Sequence, residues 1–468
     1  MIPPGSTACC AVLGSRASTV AACLLVALAS ACSGRQQTAD ASAPVNLYAR
    51  AVSPFHAEIG WEPTGGGNAL YQVQRRTGDG PWMTRAALPE DEPYFLDLGL
   101  LPETRYFYRV GAARAGAPIL FSEDVAVETP MSFLPQIDVR VLDAPLMQPG
   151  VTVFSIEDPD YLVEFAALVA VDDEGNVIWM IGDERFFVIT DFDFAPDGTI
   201  IAMVGSALEH ISMSAERLYR YDKRLLHHDI DVTPWGTTLA IAGYGDRSAD
   251  GTPHSADAIV EFDLETKRET GAWPLREAVP FEDICVQCFF GEDYFFGHDW
   301  THLNALLLDP DFEHLYLSVR NLNRIYKISY STGLPVWVMG EGGDFGQGLF
   351  FHQHEPELVG EGRMLLFDNG LHRAGTDYYS RAIEVRFDAE NKAAEVVWEY
   401  REKPDFFTGI GGDADRLANG NTLITDSINA RIIEVAPDGQ VLWELKLPLP
   451  YRIYKAIRLE RFPPAPAG

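Results

Sequence analysis

Three short stretches place imidazoles where they could do chemistry: Leu225-Leu-His-His-Asp229, Asp299-Trp-Thr-His-Leu-Asn304 and Phe351-His-Gln-His-Glu355. The chain holds eleven histidines in 468 residues, and five of them, His227, His228, His302, His352 and His354, fall in these places. A neutral imidazole can serve as a nucleophile, as a general acid or base, or as a metal ligand. Arg320, in Tyr316-Leu-Ser-Val-Arg-Asn-Leu-Asn323, adds a guanidinium that is always charged and suited to oxyanions. Three histidines around one axis could hold zinc or copper, but a nearby arginine would repel such a cation.

The elements that must position these residues repeat. Five segments share a polar start, a few alternating residues, a Gly or Asp turn and an apolar strand. They begin at Thr190, His228, His302, His354 and Gly412, and in four the turn glycine lies eight residues on, at Gly198, Gly236, Gly362 and Gly420. A second hairpin follows each, often ending on a tryptophan: Trp179, Trp273, Trp337, Trp398 and Trp443. Outer hairpins near 167–180, 217–224, 258–274, 323–338, 381–399 and 431–444 give six units. Units of about four strands at a period of ~40–60 residues predict a six-bladed β-propeller over 131–468. A strand at 136–142 would complete the last blade. Innermost strands line a propeller's channel, so His228, His302 and His354 should meet at one mouth. Arg217, Arg324, Arg381 and Arg431 each open an outer hairpin, which argues for a structural role such as an inter-blade hydrogen bond. Arg320 does not repeat and is the better functional candidate.

Residues 45–130 read as a separate small sandwich of short alternating strands. Trp61 and the run Leu101-Pro-Glu-Thr-Arg-Tyr106-Phe-Tyr108-Arg-Val110 resemble the core tryptophan and corner tyrosine of a fibronectin type III domain. The chain is therefore expected to be all-β, a fibronectin type III-like β-sandwich followed by the propeller.

The formal charge is −32, spread along the chain, which reads as a solvated surface and argues against nucleic acid as a partner. A site for an anion needs its own positive charge. Arg16 precedes an apolar run, Ala17 to Ala31, of signal-peptide length. Leu28-Ala-Ser-Ala-Cys32 resembles a bacterial lipoprotein cleavage site. That resemblance implies a signal over 1–31, lipidation of Cys32, a tether over 32–44, and a membrane contact through the lipid only. Ser33 after the cysteine favours the outer membrane, on the periplasmic side of the cell envelope. Cys9, Cys10 and Cys23 leave with the signal, so Cys285 and Cys288 remain as one CxxC pair, read as a disulfide.

The stretch from Asp299 to Ser329, with Gln353-His-Glu-Pro-Glu-Leu and the following Leu-Leu-Phe-Asp-Asn-Gly, resembles the bacterial arylsulfotransferases, nucleotide-independent aryl-sulfate sulfotransferases of the envelope. The resemblance covers roughly 150–450. It implies transfer of a sulfuryl group from a small aryl sulfate to a phenolic acceptor, ping-pong, through a sulfohistidine. It makes His354 the sulfated histidine, His302 and His228 further channel histidines, and Arg320 the family's arginine. It gives Asn304 as the neighbour of His302, while His227 competes with His228 for the third channel position; Asn304, His227 and His352 are the candidates for binding substrate. No metal or cofactor is implied, and no phosphate-cradling GxxxxGK[ST] run is present. The family's "QHD" is "QHE" here, and "SSRH" is "SVRN". The competing expectation is a non-enzymatic envelope lipoprotein that binds a glycan or protein with the same two modules.

Overall fold

The computed structural model describes residues 42–65, 69–158, 165–183, 188–280, 296–373 and 378–463. The signal segment, Cys32, and the Cys285–Cys288 pair lie outside the described residues. Apart from 3-10 turns at Leu275–Glu277 and Arg320–Leu322, the regular elements among the described residues are β-strands.

The amino-terminal unit is two sheets. One has Val45–Ala51, His56–Glu62 and Tyr94–Leu98; the other centres on Leu70–Thr77 and Arg105–Ala113. Alternation builds its core, because Tyr71, Val73, Tyr106, Tyr108 and Val110 all face one side of their strands. Trp61 lies edge-on to Tyr71, and the Tyr106 hydroxyl accepts the Leu101 N–H at 2.8 Å, which is the corner the sequence predicts. The unit touches the propeller where the Gly99 N–H meets the Ile178 carbonyl at 2.8 Å and His56 stacks on Trp179.

Six antiparallel sheets follow, each a blade. Five have the inner strands the repeat predicts: Ile189–Phe194, Leu225–Val232, Leu303–Leu308, His354–Gly360 and Asp413–Arg416. The sixth inner strand is Ala456–Leu459, which pairs with Val151–Glu157 and completes the first blade from the other end of the chain. Sequence reading missed it, because it has no hairpin partner beside it in the chain. Asp138–Val141 joins the outer edge of the last blade as a fifth strand, so the ring is closed at both edges.

Two predicted details need correction. The second blade's outer hairpin spans Ala207–Tyr221, not 217–224, so Arg217 opens its last strand rather than its third. The repeated arginines do not tie one blade's sheet to the next. Arg381 holds Asp368 of its own blade at 2.9 Å, and Arg431 joins Glu444 of its own blade to Glu402 of the loop leading in, both at 2.6 Å. Blades are tied instead by the tryptophans. Trp179, Trp398 and Trp443 each donate from Nε1 to a carbonyl in the next blade's outer turn, at Met213, Pro437 and Asp173 respectively. The last of these crosses the ring closure.

Carboxylates make the inner ties. The Oδ2 atoms of Asp191, Asp229 and Asp231 accept the backbone N–H of Ile230, Leu306 and Leu308 on the next inner strand at 2.6–2.7 Å. Glu357 does the same for Arg416 at 2.8 Å. The acid excess is therefore only partly a solvated surface; a share of it rings the channel. Lys455 stands among these groups, 2.6 Å from Asp191 and 3.9 Å from Asp229 and Glu355. Burial, then Glu357, pushes the Asp415 carboxyl up to about 8. The fold thus holds the protonated acid more tightly than the unfolded chain does, and that stability is lost as pH rises from the ordinary carboxylate range through about 8. In melting curves, Asp415→Asn should gain on the parent steadily over that range and hold a constant gap above it. Parallel curves at every pH would contradict this.

Candidate active site

The inner strands bring the predicted residues to one mouth of the channel. His228 and His302 meet edge-to-face with ring centroids 4.8 Å apart. Arg320, fully buried at the end of its strand, reaches across to the Gly409 carbonyl from Nη2 at 3.3 Å. Two residues on, the Gly411 N–H lies 3.3 Å from Nε2 of His354, so one short segment touches both groups. Burial lowers the proton affinity of His228, His302, His352, His354 and His372, and the charge of Arg320 lowers each further, most prominently for His352, His354 and His372. Backbone geometry marks the same place. His228, His302, His352 and His372 all have positive φ, between 45° and 62°, a conformation that costs a β-carbon-bearing residue about 1 kcal/mol or more.

Hydrogen bonds fix what each ring can do. Asn369 donates its amide Nδ2 to the carbonyls of Thr408 and Gly411, both at 2.7 Å. Its Oδ1 therefore faces His354, and Nδ1 of His354 must donate to it, at 2.6 Å. That leaves the lone pair of His354 on Nε2, where it accepts the long Gly411 N–H hydrogen bond at 3.3 Å that an incoming sulfur would replace. Burial, then Arg320, pushes this imidazole down to about 3, so it is neutral at neutral pH. Asn369→Ala frees the tautomer, and kcat should fall by about 10²–10⁴-fold, by analogy with other sites where the wrong imidazole tautomer is allowed. An unchanged kcat in the folded variant would remove this role.

The other two rings are backed by carboxylates. His302 Nδ1 meets Asp299 Oδ2 at 2.7 Å, and Asn321 Nδ2 holds the same oxygen at 3.0 Å. Asn321 also accepts from Arg320 Nη1 at 3.0 Å, so the residue that departs from "SSRH" joins the arginine to the dyad. His228 Nδ1 lies 2.7 Å from His227 Nδ1, whose Nε2 lies 3.1 Å from Asp257. Asp257 stays ionised despite burial, because His227, Thr301 and the Leu303 N–H hydrogen-bond it. The chain therefore runs from Asp257 through His227 to His228. Burial still lowers the proton affinity of both His228 and His302, the first strongly.

His227 thus stands behind His228 rather than competing with it. Asn304 donates to the Gln353 carbonyl at 2.8 Å, bracing the peptide before His354, while its Oδ1 has no hydrogen-bond partner among the described residues. His352 is buried and faces His372 across 3.2 Å. Glu355, which replaces the aspartate of "QHD", belongs to the channel's carboxylate ring near Lys455. Sequence reading did not identify Asp257, Asp299, Asn321, Asn369 or His372. Asp299 was the most findable, three residues before His302 in one motif. Among the described residues no three His, Cys, Asp or Glu side chains are gathered as metal ligands.

Comparison with solved structures finds the fibronectin type III domain of human contactin 1, 21% identical, covering 23% of this chain and 92% of that one, with a TM-score of 0.20. It also finds the Neurospora crassa Pan2 WD40 domain, 9% identical, covering 63% of this chain and 75% of that one, with a TM-score of 0.36. Among curated proteins there is no match. Residues 147–448, which hold the whole histidine mouth and all of the blades except the strands Asp138–Val141 and Ala456–Leu459, match the family model described as Arylsulfotransferase (ASST). With that match over well more than half of its length, the chain belongs to the arylsulfotransferase family.

Proposed function

We propose that the chain moves a sulfuryl group from an aryl sulfate ester to a phenol through a sulfohistidine at Nε2 of His354. The lone pair on Nε2 attacks sulfur, and the sulfur–oxygen bond to the aryl group breaks, releasing a phenoxide. An acceptor phenol oxygen then attacks the same sulfur, the sulfur–nitrogen bond breaks, and the imidazole recovers its lone pair. Sulfuryl transfer resembles phosphoryl transfer, in which the protein mainly positions the group and stabilises charge on its oxygens. Arg320 supplies the fixed cation. His302 and His228 turn Nδ1–H toward Asp299 and His227, so each neutral ring presents an Nε2 lone pair to the site and can donate to a sulfuryl oxygen only after taking up a proton there. A buried cation among neutral imidazoles also draws an anionic donor toward an otherwise acidic protein.

The observation that carries this reading is the tautomer lock on His354 beside Arg320. The test is a stopped-flow experiment with nitrophenyl sulfate and no nucleotide. Without phenol, nitrophenol should appear in an amount stoichiometric with protein and then stop; adding phenol should restart it. Continuous release without phenol, or none with it, would overturn the two-step scheme. The signal-like segment and Cys32 support placing this activity on a lipid-anchored protein of the cell envelope, a location where nucleotide sulfate donors are scarce.

A further inference from the structure

The two half-reactions leave the proton unassigned. The departing phenoxide must gain one and the incoming phenol must lose one, at residues buried from solvent. His228 and His302 each turn Nδ1 to a carboxylate, directly or through His227, which leaves Nε2 of each neutral ring a lone pair with no proton to give a departing phenoxide.

His352 is built differently. It is 1% exposed, and its Nδ1 has no hydrogen-bond partner among the described residues. A buried imidazole nitrogen left in this state lacks the partner such groups almost always have, and a bound ligand can supply it. His352 is within electrostatic reach of Arg320, His354 and His302, and burial with Arg320 pushes it down to about 2. Its position is held, because its peptide N–H bonds Asn323 Oδ1 at 2.8 Å and its φ is 54°. Asn323 ends the 3-10 turn that carries Arg320, so the two residues share one support. On its other side, Nε2 of His352 lies 3.2 Å from Nδ1 of His372, with the rings edge-to-face at 4.9 Å. His372 is half-buried, so the pair runs from the buried cluster to the surface.

We propose that His352 and His372 form the proton path between the aryl oxygen and solvent; this rests on the sulfuryl-transfer reading of the site. In the first half-reaction, His352 Nδ1–H gives its proton to the departing phenoxide. His352 Nε2 takes the proton of His372 Nδ1, and His372 takes one from water at Nε2. In the second half-reaction the same steps run backward, and the acceptor's proton leaves through His372. Each imidazole gains a proton at one nitrogen and loses one at the other, so both end neutral.

The test uses the full chain, His372→Ala and His372→Gln, and two donors. Nitrophenyl sulfate releases a phenoxide that departs without a proton; unsubstituted phenyl sulfate releases one that needs it. Both variants should lose about 10²-fold in the first half-reaction with phenyl sulfate. With nitrophenyl sulfate they should stay within about 2-fold of the parent, where acid help has nothing to add. Added imidazole should restore His372→Ala with phenyl sulfate. His352→Gln should lose the phenyl sulfate reaction as the His372 variants do, without the rescue. An active parent whose His372 variants slow equally on both donors, or on neither, overturns the path alone. A parent that turns over neither donor overturns the path together with the reading beneath it.

Discussion

His354→Ala should lower kcat/KM for every aryl sulfate by on the order of 10⁴-fold or more, the scale seen when a covalent nucleophile is removed. The reason is specific to one atom. Alanine removes Nε2, the position at which the Asn369 amide concentrates the ring's lone pair. Arg320, His302 and His228 remain, so the variant should still bind donor while forming no covalent adduct. Mass spectrometry of the parent, quenched after mixing with donor alone, should show one sulfuryl group on the peptide containing His354, and the variant should show none. His302→Ala and His228→Ala should lose less, about 10²-fold, because each removes a ring that positions the reacting groups and leaves the nucleophile. A His354→Ala protein that folds and still forms the adduct would place the nucleophile on another ring.

How far the site could be read from sequence follows from the repeat. Thr190, His228, His302, His354 and Gly412 share one register because each inner strand is followed at once by its own hairpin. Alternation and a turn glycine therefore locate each of these strands locally. Ala456–Leu459 breaks that rule; its partner is Val151–Glu157, at the far side of the propeller sequence. Tyr454 and Lys455 accordingly went unnoticed at the sixth position of the ring. The partners of the histidines were hidden for a related reason. Asp257 reaches His227 from the third strand of the same blade, and Asn369 reaches His354 from the end of the second. Pairings across strands carry no fixed spacing in sequence. The carboxylates of the channel were visible as acidity but not as structure, since their partners are backbone N–H groups of the next blade. Such partners leave no trace in residue type.

Replacing Arg320 should separate two effects that coincide in one guanidinium. The first is the grip on sulfuryl oxygens. Arg320→Ala should lower kcat by about 10²–10³-fold, the usual scale for losing one preorganised donor to developing charge. The second is the field on the rings. Arg320 lowers the proton affinity of His354 and of His228, His302, His352 and His372. Without its charge those affinities rise, and the nucleophile is protonated at a higher pH. The acid limb of the pH–rate profile should therefore move upward in Arg320→Ala. Arg320→Lys keeps the charge but loses the planar fork that holds Asn321 at 3.0 Å and the Gly409 carbonyl at 3.3 Å. It should lose rate while its acid limb stays near that of the parent. The two variants thus assign grip and field independently. Acid limbs that move together in both, or in neither, would mean that the charge of Arg320 does not keep His354 free to attack.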